Sequence, residues 1–114
     1  MKIPFMKAHG AGNDFVIIDK NVDLIRKSKK IIKKLCDRRF GIGCDQLILL
    51  KKVGAYHQVA FYNSDGSLGK NCGNGLRCVY KFLVEEKKIK NVIIKSHKFI
   101  PVSYTHLRAH ETRY

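Results

Sequence analysis

Five apolar residues, Leu76, Val79, Tyr80, Leu83 and Val84, recur at i, i+3, i+4, i+7 and i+8, the spacing of one face of an α-helix. A helix with one apolar stripe must bury that stripe against something. With strand-like segments before and after it, the chain reads as an alternating α/β pattern. Immediately before it comes "NCGNG" (Asn71 to Gly75), a glycine-broken stretch that places the start of the helix near Cys72.

The flanking segments supply the strands. "IPFMKA" and "FVIID" read as short strands on either side of the turn "HGAGND", whose Gly10, Gly12 and Asn13 permit positive φ. Asp23 is the expected N-cap of one helix, with Leu24, Ile31, Ile32 and Leu35 at helical spacing and an end near Arg39. "LILL" and "HQVAFYN" are two further strands, the second closed by the turn "NSDGS", and "NVIIKS" is another. The pattern is α/β (α+β) in a single domain, with no internal repeat and no low-complexity linker. At 114 residues such a domain buries roughly two-thirds of the surface its unfolded chain exposes.

Charge sorts the possible partners. Lys+Arg 23 against Asp+Glu 9 gives a formal charge of +14, which on its own points to nucleic acid or an anionic surface. The lysines, however, concentrate in "RKSKKIIKK" (Arg26 to Lys34) and "EEKKIKN" (Glu85 to Asn91), on the polar faces or ends of helices and without interleaved aromatics. A solvated face is the expectation, with no nucleic acid. No apolar run reaches the length of a bilayer span, and the N-terminal "MKIPFMKAHG" lacks a secretory h-region. A cytoplasmic protein with no membrane partner is expected. Its four cysteines, Cys36, Cys44, Cys72 and Cys78, contain no CxxC pair, which argues against a zinc knuckle and, in that compartment, for reduced thiols.

The C-terminal "VSYTHLRAHETRY" differs in kind: it holds no lysine but two of the five histidines. His106, His110 and Glu111 have a weak metal-site spacing without the HExxH order, so no metal is expected. The segment resembles translated read-through of a sequencing-library adapter, and native sequence is expected to end near Pro101.

Three Gly-x-Gly pieces, at Gly10/Gly12, Gly41/Gly43 and Gly73/Gly75, carry neither the third glycine of a dinucleotide fingerprint nor a P-loop Lys-Ser/Thr. Each adjoins a polar or reactive side chain: Asn13, then Gln46 with Cys44, then Cys72 with Asn74. A helix start has N–H groups without intrahelical partners and a partial positive charge. A thiol there is a better thiolate, with pKa values of about 3.5–7.5 against about 8.5 for an unperturbed cysteine. A depression of two units needs about 2.7 kcal/mol, whereas a helix terminus alone supplies up to about 1 kcal/mol. Direct N–H contacts or a cation must supply the rest, and Gly73 and Gly75 let the backbone approach closely. The same N–H groups suit a substrate carboxylate. Cys72 is therefore either a buried helix-start cysteine or a reactive one; Cys78 is expected to be packed, and Cys36 and Cys44 have no predicted activator.

"HGAGNDFVIID" (His9 to Asp19), "RRFGIGCDQLILL" (Arg38 to Leu50) and "FYNSDGSLGKNCGNGLRC" (Phe61 to Cys78) together resemble, in order and spacing, the N-terminal half of the diaminopimelate epimerases. The resemblance implies a mixed, mostly antiparallel sheet wrapped around a central helix starting near Cys72. It also implies epimerisation of LL- to meso-diaminopimelate, without pyridoxal phosphate or any other cofactor, in lysine and peptidoglycan-precursor biosynthesis. Two cysteines would act as acid and base: Cys72 is one, Gly73 and Asn74 would hold the carboxylate, and Asn13, Gln46 and Asn63 would position the amino acid. Residues 1–101 would then be an epimerase half-domain and 102–114 a non-native tail. The partner thiol belongs to a second half that this chain lacks, so the chain alone is expected to be inactive and the full-length form to be a homodimer. A cofactor-independent racemase of the same fold acting on proline-like substrates, a basic nucleic-acid-binding module, and a marginally stable fragment with an exposed interface are the alternatives.

Overall fold

The computed structural model describes residues 3–70, 73–96 and 101–102. Among them six strands form one sheet in chain order: β1 (Met6–Gly10), β2 (Asn13–Ile18), β3 (Gln46–Val53), β4 (Tyr56–Asn63), β5 (Ile94–Ser96) and β6 (Pro101–Val102). The pairs β1/β2, β3/β4 and β5/β6 are antiparallel, and β2/β3 and β4/β5 are parallel. The sheet is thus three hairpins joined by two crossovers, mixed and mostly antiparallel, as expected. The proposed boundary between residues 101 and 102 falls inside β6, where Val102 faces Ile94; residues 103–114, with His106, His110 and Glu111, lie outside the described residues.

Helices α1 (Val22–Arg26) and α2 (Lys29–Cys36) fill the first crossover, and α3 (Gly73–Lys81) fills the second, continuing as a π-helical stretch over Phe82–Glu86. The second crossover starts from a strand running opposite to the first while the sheet grows in the same direction. Right-handed connections must then place the two sets of helices on opposite faces. The strands show this by alternation. Phe15, Ile17, Ile48, Leu50, Val59 and Phe61 pack with Leu76, Val79 and Leu83 of the α3 side. Val16, Ile18, Leu47 and Leu49 pack with Val22, Ile25 and Ile32 of the other.

The apolar stripe behaves as its period requires: Leu76, Val79 and Leu83 are buried and Tyr80 and Val84 partly so. Elsewhere the local structure corrects the sequence reading. The first hairpin turns on two residues, Ala11 (φ 50) and Gly12 (φ 86), with Gly10 already paired to Asn13. Positive φ at both central positions is the type I′ pattern, which matches strand twist and lets both strands run into what reads as a six-residue loop. The single helix expected from Asp23 is two. Ser28 interrupts it: its Oγ accepts from the Ile31 N–H at 3.2 Å and caps α2. Asn21, not Asp23, precedes α1, and Asp23 lies in its first turn, paired with Lys51 at 2.7 Å. The buried positions shift accordingly to Val22, Ile25, Ile32 and Cys36, and Leu24 is exposed. The helix also stops at Cys36, because the Asp37 carboxylate accepts from the Arg39 and Phe40 N–H groups and turns the chain. Replacing Ser28 with alanine should cost about 1 kcal/mol, read as a lower urea midpoint at unchanged m-value.

Candidate active site

Strand alternation brings three of the expected polar residues to one place. Asn13 is two residues before Phe15, Gln46 two before Ile48 and Asn63 two after Phe61, so all three share the face that carries α3. They also share one end of the sheet: Gln46 and Asn63 are directly paired, and Gln46 faces Phe15. The Gln46 Nε2 donates to Asn63 Oδ1 at 3.4 Å, and Asn63 Nδ2 donates to Ser67 Oγ at 3.1 Å. Ser67 in turn bonds Asp65 through both its N–H and its hydroxyl. Gly69 lies close over the pair; a Cβ there would stand 2.9 Å from Asn63 Oδ1 and 3.2 Å from Gln46 Nε2.

Helix α3 begins at this same end. Gly10, at the tip of β1, lies against Asn74: a Cβ on Gly10 would be 3.5 Å from the Asn74 Cβ and 3.5 Å from the Cys78 Sγ. Gly73 is exposed; among the described residues beyond its chain neighbours nothing lies within 4 Å of a Cβ position, and the first turn contains no acidic residue. The N–H groups of a helix's first turn have no intrahelical partner and suit an anion. Gly75 has another role from the one expected. A Cβ on it would overlap the Phe61 ring and stand 3.3 Å from Phe15, so this glycine seats α3 on the sheet. Cys72, which immediately precedes Gly73, lies outside the described residues, as does Asn71. Cys78 is packed as expected, fully buried and donating to the His9 carbonyl at 3.7 Å.

An ion lock that sequence reasoning missed sets the spacing of this edge. Arg38 grips both oxygens of Asp14, at 2.9 and 2.8 Å, and reaches Asp45 at 3.1 Å. Lys7 pairs with Asp14 at 2.9 Å and also donates to the Gly43 carbonyl. The N–H groups of Asp14 and Asp45 each donate to the other's carboxylate, at 3.1 and 2.8 Å. Asp14 follows Asn13 and Asp45 precedes Gln46, so the lock fixes the two amides relative to each other. The Arg38 guanidinium, and after it Lys7 and the Asp45 groups, hold the Asp14 carboxyl well below the usual carboxylate range against the opposing effect of burial. All four residues sit within or beside the glycine motifs, which was the available signal.

Asp14→Asn should therefore lower stability at neutral pH by about 1–2 kcal/mol, a modest figure because Arg38 is half exposed and solvent screens the pair. A carboxylate depressed on folding contributes fully above its unfolded value of about 3.9, and that contribution is lost as pH falls through the folded value. The gap between wild type and variant should begin to narrow below pH of about 4 and keep narrowing as pH falls toward the lower folded value, as thermal melts at stepped pH will show.

Two solved structures share this arrangement of sheet and crossover helices. One is a phenazine biosynthesis protein PhzF family member from Enterococcus faecalis, with a TM-score of 0.65 and 10% identity over 90% of this chain and 39% of that one. The other is a methylitaconate-delta-isomerase, with a TM-score of 0.64 and 18% identity over 84% of this chain and 32% of that one. They define the fold class, the α+β fold shared by PhzF-like and diaminopimelate-epimerase-like proteins. Within that class the chain belongs to the diaminopimelate epimerase family, whose model matches residues 5–98. It is 51% identical to the diaminopimelate epimerase of Gluconobacter oxydans over 73% of this chain and 34% of the relative. It is 48% identical to that of Leptospira biflexa over 80% and 33%. The chain spans about a third of the length of the curated relatives it matches.

Proposed function

We propose that this chain carries one half of the active site of an isomerase that interconverts LL- and meso-diaminopimelate without a cofactor. The observation that carries the reading is the convergence of Asn13, Gln46 and Asn63 with the start of α3 on one face and one end of the sheet. The Cys72 thiolate removes the α-proton from one side of the substrate carbon. The electron pair spreads onto the carboxylate, where the N–H groups of Gly73 and Asn74 stabilise it. A second thiol, supplied by the opposite half of a full-length protein, returns a proton to the other side and inverts the centre. Asn13, Gln46 and Asn63 hold the amino acid's polar groups so that the α-carbon presents its proton to sulfur. The same reading makes the full-length enzyme a cytoplasmic homodimer and leaves the 114-residue chain unable to epimerise alone.

The test is a titration of the 15N-labelled chain with LL-diaminopimelate. The amides of Gly73 and Asn74 and the side-chain NH2 groups of Asn13, Gln46 and Asn63 should shift together along one saturation curve. Shifts confined to the lysine-rich face of α1 and α2, and reproduced by a simple dicarboxylate of equal length, would contradict the assignment.

A further inference from the structure

A second pair of sulfurs lies on the other face of the sheet. Cys36 ends α2 and Cys44 lies just before β3; the Cys44 N–H donates to the Cys36 carbonyl at 3.3 Å and sets the two residues side by side. Their Sγ atoms are 3.6 Å apart, both residues are 2% exposed, and both thiols are free. They are not sealed in, because both line an open cleft of about 420 Å³ whose wall also carries Lys33, Asp37, Arg38, Arg39 and Ser64.

We propose that Cys36 and Cys44 form an oxidisable dithiol, a modification site at which hydrogen peroxide produces an intrachain disulfide. The inference is independent of the proposed catalytic role of Cys72.

The pair is asymmetric in the sense such a reaction needs. The Cys44 S–H donates to the Cys36 sulfur and lowers the Cys36 thiol, Lys7 lowers it further, and burial opposes both. The Cys44 thiol is raised, first by that same contact and then by burial. Cys36 is accordingly the attacking sulfur and Cys44 the resolving one. The Cys36 thiolate attacks one peroxide oxygen, the O–O bond breaks, and the departing hydroxide takes up the proton that Cys36 had lost, leaving as water. Cys36 is then a sulfenic acid. The Cys44 sulfur attacks it, the S–OH bond breaks, and the hydroxyl leaves as a second water with the Cys44 proton. Two thiols and one peroxide thus become one disulfide and two waters. The sulfurs must close from 3.6 Å to a bond of about 2.0 Å. The glycine-bearing loop between them, where Gly43 already holds a φ of 84, can absorb that movement.

The experiment treats the reduced, folded chain with hydrogen peroxide, alkylates the remaining thiols and maps tryptic peptides by mass. The expected result is loss of two alkylatable thiols and a covalent link between the peptides covering 35–38 and 40–51, with the chain still monomeric on a non-reducing gel. In Cys44→Ser the link should vanish and Cys36 should instead be trapped as a sulfenic acid by dimedone, with folding checked by circular dichroism. The proposal is overturned if Cys36 and Cys44 remain alkylatable at peroxide levels that oxidise Cys72. It is equally overturned if the dominant link joins Cys72 to Cys78 or joins two chains.

Discussion

Cys72→Ser, made in an enzyme assembled from this chain and the C-terminal half of a family member, should lower kcat by about 10²–10⁴-fold, the span that positioned acid–base groups contribute. The KM should hardly change. Serine keeps the shape and the hydrogen-bonding capacity of cysteine, so a substrate held by Asn13, Gln46, Asn63 and the start of α3 still binds. What is lost is acidity: a thiol can be substantially ionised at neutral pH when a helix start and N–H groups face it, whereas a hydroxyl cannot. A fall in kcat at constant KM marks an interaction made only in the transition state. A fall confined to KM would mean that Cys72 merely lines the site.

The second large effect falls on folding and separates two glycines that look alike in sequence. Gly75→Ala places a methyl group into the rings of Phe61 and Phe15, which are 1% and 0% exposed and have nowhere to move. Overpacking of this kind costs about 1–3 kcal/mol and occasionally more, while replacing a helical glycine with alanine returns about 1 kcal/mol of propensity. The overlap with a ring from a central strand puts this case at or beyond the upper end, so strain wins. A Tm lower by about 5–10 °C is expected for a domain of this size. Gly73→Ala, two residues earlier, meets nothing within 4 Å among the described residues beyond its chain neighbours and should leave the Tm unchanged or slightly raised. If both variants melt alike, the close seating of α3 on Phe61 is wrong.

Much of the frame was legible because it rests on periodicity. The stripe from Leu76 to Val84 stood at helical spacing and runs from α3 into the π-helical stretch that continues it, and the apolar runs on either side of it lie in strands of the sheet. Alternation also placed the amides: Asn13, Gln46 and Asn63 each stand two residues from a buried residue of the α3 face. Strand boundaries read too short hid that relation, since Gln46 begins β3 and Asn13 begins β2.

What stayed hidden depends on contacts between distant segments. The Asp14–Arg38–Asp45 lock joins residues 24 and 31 positions apart, and no local pattern marks such a pairing. The Cys36–Cys44 contact arises only because α2 ends where the chain turns back toward β3. The break at Ser28 was visible in principle, since a serine ahead of an amphipathic run is a strong cap, but the longer apolar period outweighed it. In sequence Gly75 looks like part of the reactive turn because it shares the Gly-x-Gly piece that follows Cys72; its packing role depends on the position of Phe61.

The measurement that tests the central claim most directly is solvent exchange at the substrate α-carbon. The assembled two-half enzyme is incubated with LL-diaminopimelate in deuterium oxide, and the Cα–H resonance is followed by NMR. The account predicts loss of that resonance together with appearance of the meso isomer deuterated at the inverted centre, and no exchange by this chain alone. Substrate that binds at the Asn13, Gln46 and Asn63 edge but keeps its Cα–H, or exchange that continues undiminished in Cys72→Ser, would contradict it.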